Sequence, residues 1–277
     1  IKDKPINMIK LYFKQAWQLM KKNPFFSFIS ILSTAVTITF VMVAYMVYNL
    51  NTSNLPPEVN RKNSWYADNA WAFRTKDNSN RNRGMSFKTA SQIMENFPSA
   101  EVVSIHSTTR YNTCEAVGGE GSRARRMGRY VDSEWWIINN YRFISGKPIT
   151  KDDYEAKLKI VVVSEQTARE LFYSTDVVGR DVLIDFIPYT ICGVVENVSP
   201  QFSVAFSDFW ANLSGNQELV DFQSGSEGVN GFITFIAKAK PGKMKDLKAE
   251  MEESAEHFNT SLLDTTFSME VKTHSEF

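Results

Sequence analysis

Three histidines (His106, His257, His274) and two cysteines (Cys114, Cys192) are the side chains best suited to metal binding or nucleophilic chemistry, and their spacing supports neither. The histidines are scattered, no C-x-x-C pair occurs, and neither an H-E-x-x-H helix nor a G-x-S-x-G elbow is present. Two fragments of a phosphate cradle are incomplete. Ser145-Gly146-Lys147-Pro148 lacks the upstream glycine and the Ser/Thr that should follow the lysine, and Gly118-Gly119-Glu120-Gly121 is followed by no lysine. No enzymatic activity, cofactor or metal is therefore expected of this chain. Cys114 and Cys192 lie 78 positions apart. A disulfide and a pair of buried thiols both stay open, because bonding depends on separation in space.

Three clusters could recognise a partner. Arg123, Arg125, Arg126 and Arg129 fall on a strand-like stretch, where alternation puts Arg123, Arg125 and Arg129 on one face and Arg126 with Gly128 on the other. A solvated strand is the expectation, with lipid-headgroup or partner contact the alternative. Glu250, Glu252, Glu253 and Glu256 read as the solvated face of a helix. Phe202, Phe206, Phe209 and Trp210 are dense for a loop-rich stretch, and read either as strand packing or as a candidate surface for a partner or hydrophobic cargo.

The elements that must position these groups begin with a membrane segment. The 43% hydrophobic content is ordinary, but it is unevenly spread: no charge occurs between Lys22 and Glu58, and apolar density peaks from Phe25 to Tyr48. A helix over residues 25–50 rises about 1.5 Å per residue and is long enough to cross roughly 30 Å of hydrocarbon. It is too long for the apolar core of a cleaved signal peptide. Residues 1–22 carry six lysines against one aspartate, leaving 25 basic and 30 acidic residues for the remainder. That asymmetry places the N-terminus in the cytoplasm and the bulk of the chain outside, and a mildly acidic body is poor material for binding nucleic acid.

Residues 1–24 precede the span. Ile6, Ile9, Phe13, Trp17 and Met20 recur at three and four residues, with Lys10, Lys14, Gln18 and Lys21 on a neighbouring stripe. The expectation is an amphipathic helix on membrane lipids, in which Ile9, Phe13 and Trp17 anchor and Lys10 and Lys14 meet headgroups; a plain extension of the span is the alternative. Residues 51–63 form a polar, proline-containing linker. The body, 64–277, then alternates strands and helices. Trp65–Arg74, Ser86–Phe97 and Glu101–Thr113 read β-α-β, and so do Phe232–Lys240, Lys243–Phe258 and Thr266–Thr273. Between them come a strand at Arg123–Asp132, a helix at Ser133–Asn140, a strand at Lys159–Val163, a helix at Ser164–Phe172, and paired strands Asp181–Phe186 and Tyr189–Glu196 turning at Ile187-Pro188. The fold class is α+β: after the two N-terminal helices, a mixed α/β domain of two subdomains. The first is a split β-α-β subdomain (64–114 and 230–277), and the second an α/β subdomain inserted between its halves (115–229).

Three passages carry a family resemblance: FKQAWQLMKKNPFFSFISIL, then RYVDSEWWIINNYRFISGKPIT, and finally VVVSEQTARELF followed by VVGRDVLID and YTICGVVENV. In this order the chain resembles the MacB and FtsX-like ABC transporter permeases with a large periplasmic domain after the first span. It departs from them in the span, where Ser30, Ser33, Ala35 and Thr37 stand where glycines are frequent. The resemblance implies a bacterial inner-membrane permease with its main domain periplasmic, acting in export or mechanotransmission. ATP would be bound by a separate cytoplasmic ABC ATPase subunit. It further implies a homo- or heterodimer of permeases, a periplasmic adaptor or cell-wall enzyme as partner, and three further spans beyond Phe277, so the sequence is read as a piece of a longer chain. The rivals are an FtsX-like regulatory permease that activates a cell-wall enzyme, and a single-span sensor ectodomain.

Overall fold

Proline sets the start of the second N-terminal helix, because its fixed φ and missing N–H suit the first helical position. The computed structural model describes residues 5–74, 80–117 and 123–276, and the chain divides into two compact units, Ile1–Asn51 and Thr52–Phe277. In the first unit α1 (Pro5–Lys22) is followed by α2 (Pro24–Thr52) after one non-helical residue. Asn23 N–H still donates to Leu19 O (3.2 Å), and Ser27 N–H donates to Asn23 O (3.0 Å). Pro24 has no N–H, and the Met20 carbonyl it would have served accepts the Ser27 hydroxyl at 3.1 Å. α2 is long and apolar enough to cross a membrane: it has 29 residues, and none is buried. Thr34, Thr37 and Thr39 donate their hydroxyls to carbonyls four residues back, each at 2.8 Å, so their polar atoms stay satisfied in an apolar medium.

The second unit runs β1 (Ser64–Arg74), β2 (Asn80–Arg83), α3 (Phe87–Ile93), β3 (Ala100–Ser107), β4 (Arg110–Ala116), β5 (Arg123–Val131), α4 (Trp135–Ile138), β6 (Phe143–Gly146) and α5 (Lys151–Glu155). It continues with β7 (Ile160–Ser164), α6 (Glu165–Phe172), β8 (Asp181–Ile184), β9 (Ile187–Val195), β10 (Phe209–Asn212) and α7 (Gln217–Asp221). The chain returns through β11 (Ile233–Ala239), α8 (Met244–Thr260) and β12 (Thr265–Lys272). Ser86 and Ser164 cap α3 and α6, accepting from Thr89 and Thr167 N–H.

Pairing divides the sheet into two parts. β3, β11, β1 and β12 lie side by side in that order, all antiparallel, with β2 added along β1. α8 covers this part with Leu247, Met251, Ala255 and Phe258, an apolar stripe at helical spacing. In the other part, β5, β4, β8, β9, β7 and β10 close on themselves through a parallel β10–β5 pairing, giving a six-stranded ring with β6 along β9. Among the described residues the two parts share one ladder pair, His106 with Val131. β4, which the expected subdomain boundary at residue 114 cuts, belongs by its pairing wholly to the ring.

Strands buried on both faces feed two clusters. Val161 and Val163 of β7, Phe209 and Ala211 of β10, and Phe235 and Ala237 of β11 point into the larger core. Their neighbours Val162, Trp210 and Ile236 enter a smaller one with Trp135, Tyr141 and Val204. Gly128 makes the ring closable: it pairs with Phe209, and a Cβ there would run into the Phe209 ring.

Beyond β2, β6, α5, β10 and α7, which were not expected, two of the expected elements differ in their bounds. Glu101–Thr113 is two strands, because β3 pairs with β11 whereas β4 must reach β5 and β8, and the chain changes partner at Thr108-Thr109. The β8–β9 turn is Asp185-Phe186, both at positive φ, and not Ile187-Pro188. Asp185 accepts from Asn112 Nδ2 (2.5 Å) and Thr113 N–H (2.8 Å), which holds the left-handed turn, while Pro188 sits within β9 opposite Leu183.

Candidate functional site

The segment that leaves α2 is pinned to the domain by a buried carboxylate. Glu58, 2% exposed, accepts the Ala205 N–H on Oε1 (2.7 Å) and Arg61 Nε on Oε2 (2.6 Å), and His274 Nε2 lies 2.6 Å from the same Oε2. Arg61 is also buried, with its guanidinium 4.9 Å from the Phe202 ring and Nη1 donating to Ser53 O (3.3 Å). His274 follows β12 and meets Tyr66 of β1 edge-on at 5.8 Å. Three stretches far apart in sequence therefore converge: residues 53–61, the loop carrying Phe202 and Ala205, and the chain just beyond β12. Burial alone would push the Glu58 carboxyl up. The His274 and Ala205 hydrogen bonds, with the charges of His274 and Arg61, outweigh it and hold Glu58 below the usual carboxylate range. Asn60 Nδ2 donates to Ile138 O (2.6 Å), and Asn140 N–H to Pro57 O (2.8 Å), tying the same segment to α4.

A second buried carboxylate holds the seam of the sheet. Asp132 accepts from Ser104 Oγ (2.7 Å), Ile105 N–H (2.7 Å) and Trp135 N–H (2.9 Å), joining β3 to the end of β5 and the start of α4. Burial pushes it up to about 7 against the pull of these donors.

The residues singled out from sequence fall in different places. On α1, Lys10, Phe13, Lys14 and Trp17 line one shallow groove, Phe13 and Trp17 are exposed, and Lys21 Nζ sits 5.5 Å from the Trp17 ring. Ile9 lies in the same helix; its side chain is outside the described residues. The four aromatics do not form one surface: Phe209 and Trp210 are core side chains of β10, while Phe202 and Phe206 are half-buried. Of the arginines, Arg123 and Arg125 are exposed over Phe186 (5.2 Å) and Tyr111 (4.6 Å), and Arg126 pairs with Glu170. Arg129 departs from the expected solvated face. It is buried, 5.2 Å from the Trp135 ring, with Nη1 donating to Ser107 O (3.3 Å), because this end of β5 passes between β3 and β10. Glu250 is a docking group, accepting from Ser99 N–H (3.0 Å) and Oγ (2.6 Å). Cys114 and Cys192 are free thiols serving the larger and the smaller core respectively, and burial pushes each up to about 12. Sequence reasoning missed Glu58 and His274, whose one signal is a charge at the end of the uncharged run.

These features define an α+β domain carried behind a candidate membrane helix, with the chain segments at its two ends tied by a buried ion cluster. Residues 27–254 match the MacB-like periplasmic core domain, and the chain belongs to that family, as a MacB/FtsX-like ABC-type permease component. Among curated relatives, the macrolide export ATP-binding/permease protein MacB of Haemophilus ducreyi is 30% identical over 71 residues, 26% of this chain and 10% of that protein. The ABC transporter permease YknZ of Bacillus subtilis is 23% identical over 129 residues, 47% of this chain and 30% of that protein. The chain thus matches less than a third of either relative's length. Two solved structures share the fold at low identity. The periplasmic region of MacB from Actinobacillus actinomycetemcomitans aligns with a TM-score of 0.52 at 13% identity, covering 73% of this chain and 88% of that one. A domain of a permease from Porphyromonas gingivalis aligns with a TM-score of 0.57 at 13% identity, covering 79% and 92%.

Proposed function

We propose that this domain stands on the outer face of a bacterial inner membrane, with residues 1–22 on the cytoplasmic side, and relays movement driven by a separate ABC ATPase subunit to a periplasmic partner or cargo. The lysine asymmetry around α2 supports the orientation. The observation that carries the relay is the Glu58 cluster. A displacement of the segment after α2 is transmitted through buried ion pairs, which tolerate little stretching, to the Phe202–Ala205 loop and to the chain beyond β12. Export and mechanotransmission both use such a linkage, and a permease partner in a homo- or heterodimer would be moved in the same way.

The test is to interrupt the linkage without disturbing the domain. In the full-length permease, Gly-Ser-Gly-Ser inserted between Thr52 and Ser53 should leave ATP turnover and the unfolding temperature of the outer domain unchanged while abolishing complementation of a deletion strain. Full complementation at matched expression would refute the relay.

A further inference from the structure

The connection from β9 to β10, residues 196–208, is fixed at both ends by hydrogen bonds to neighbouring elements. Glu196 N–H donates to Arg142 O (2.9 Å), and Asn197 Oδ1 accepts the Gln166 N–H (2.8 Å). At the far end Asp208 exchanges bonds with Met127, its N–H donating to Met127 O and its Oδ2 accepting Met127 N–H, both at 2.8 Å. The middle is held differently. Among the described residues, the hydrogen bonds that tie residues 198–206 to other elements both fall on Ala205: its N–H donates to Glu58 Oε1 and its carbonyl accepts the Tyr141 hydroxyl, each at 2.7 Å. The others are internal, from Phe202 N–H to Ser199 O (3.0 Å), Phe206 N–H to Phe202 O (2.7 Å) and Gln201 N–H to Ser199 Oγ (3.4 Å).

This stretch forms part of a wall. A cavity of about 250 Å³ lies at the seam of the sheet, and Ser203 and Val204 line it together with Thr108 and Thr109 of the β3–β4 crossing and Thr234 and Ile236 of β11. Val204 (6% exposed) and Ala205 (0%) also enter the smaller core, whereas Ser203 is exposed. The free energy of a local opening is set by the buried contacts and tertiary bonds that it breaks. Lifting residues 198–206 breaks two such bonds and uncovers Val204 and Ala205 with the half-buried Val198 and Phe202, while every ladder of the sheet stays paired. One of the two bonds comes from the segment that leaves α2. Glu58 lies in residues 53–61, and an ionised acceptor holds an N–H more strongly than a neutral one does. The Arg61 guanidinium, 4.9 Å from the Phe202 ring, is a second contact from that segment.

We propose that residues 198–206 are a lid over the seam cavity and that the Glu58 carboxylate is its latch. Drawing residues 53–61 away from Ala205 frees the lid, and the cavity then opens between the two parts of the sheet. The pull on residues 53–61 rests on the relay proposed above. The lid and its latch belong to the domain alone and are measured without an ATPase, so either can fail while the other stands.

The experiment is modification of thiols in the full chain, in detergent micelles, by methyl methanethiosulfonate, with the modified sites identified by mass spectrometry. Val204→Cys puts a thiol on the buried side of the lid, and Thr234→Cys puts one on the cavity wall at a residue 1% exposed. The native Cys114, 1% exposed in the larger core, reports global unfolding. The thiols at positions 204 and 234 should react about 100-fold or more faster than Cys114, because the lid opens without the sheet. Glu58→Asp keeps a charge beside Arg61 but withdraws the carboxylate from Ala205 N–H, and should speed both sites by about tenfold. Tyr141→Phe removes the other tether and should speed them by about fivefold; it serves where Glu58→Asp does not fold. Reaction at position 204 or 234 no faster than at Cys114 would overturn the lid. A rate at either position that the folded tether variant leaves unchanged would overturn the latch.

Discussion

Glu58 gathers the Arg61 guanidinium, the His274 ring and a backbone N–H in a place water does not reach, so its removal leaves Arg61 buried without its carboxylate. Breaking a buried pair on one side costs about 3–5 kcal/mol, far more than losing an exposed pair. Glu58→Leu is therefore expected to lower unfolding free energy by about that amount in urea denaturation, whereas Lys248→Leu, which removes an exposed partner of Glu252, should change it by less than about 0.5 kcal/mol. Equal effects would remove the cluster from its proposed role. Gly128 makes a different demand. A side chain there meets the Phe209 ring at the closure of the strand ring, so Gly128→Ala should cost about 1–3 kcal/mol, measured as a fall in thermal midpoint, with partial recovery in Gly128→Ala/Phe209→Leu. Neither position was legible from sequence. A glycine in an arginine-rich strand and a glutamate after two prolines acquire their roles only from residues 81 and 216 positions away, Phe209 and His274.

Elements whose information is local were read correctly, and those fixed by distant pairing were not. The helix starts at Ser86 and Ser164 and the helix of α8 depend on neighbours within a few residues. The break at Thr108-Thr109 depends on β11 and β5, which lie far along the chain, and no composition change marks it. The turn was misplaced at the proline because Asp185 takes its left-handed conformation from bonds to Asn112 and Thr113 across the sheet. Asp132 ties the two parts at that same seam, and its pH dependence can be signed. Its carboxyl titrates at about 7 in the fold against 3.8 in the open chain, so between these values the native state binds the extra proton. Stability then falls as pH rises through this window, by up to roughly 1.4 kcal/mol per pH unit from this group. Asp132→Asn should flatten the slope measured by urea denaturation between about pH 5 and pH 7. An unchanged slope would show that the Ser104, Ile105 and Trp135 donors keep the carboxylate ionised.

At the scale of the whole molecule, one long uncharged run and a basic flank announce a candidate membrane helix ahead of an α+β domain, and the helix is long and apolar enough to span while the family match covers residues 27–254. Orientation and coupling are separate claims. If the lysine-rich end is inside, Lys10→Cys should be shielded from, and Leu263→Cys, 93% exposed, open to, a membrane-impermeant thiol reagent in cells with a permeable outer membrane. Labelling of the first alone would invert the topology. Coupling rests on α1, whose exposed Phe13 and Trp17 share a groove with Lys10 and Lys14, an arrangement suited to an interface with apolar acyl chains below and anionic headgroups above. Burying each aromatic should contribute roughly 1.5–3 kcal/mol, whereas each lysine near an anionic surface contributes about 1 kcal/mol and is screened by salt. Hydrogen bonds carry α1 through Asn23 into α2, so anchoring of α1 would be felt by the span. In the full-length permease, Phe13→Asp with Trp17→Asp should therefore abolish function in cells while insertion persists, since α2 keeps its uncharged length. Lys10→Gln with Lys14→Gln should reduce function only partly, because both aromatic anchors remain. Normal complementation by the double aspartate variant at matched expression would show that α1 is a passive extension of the span.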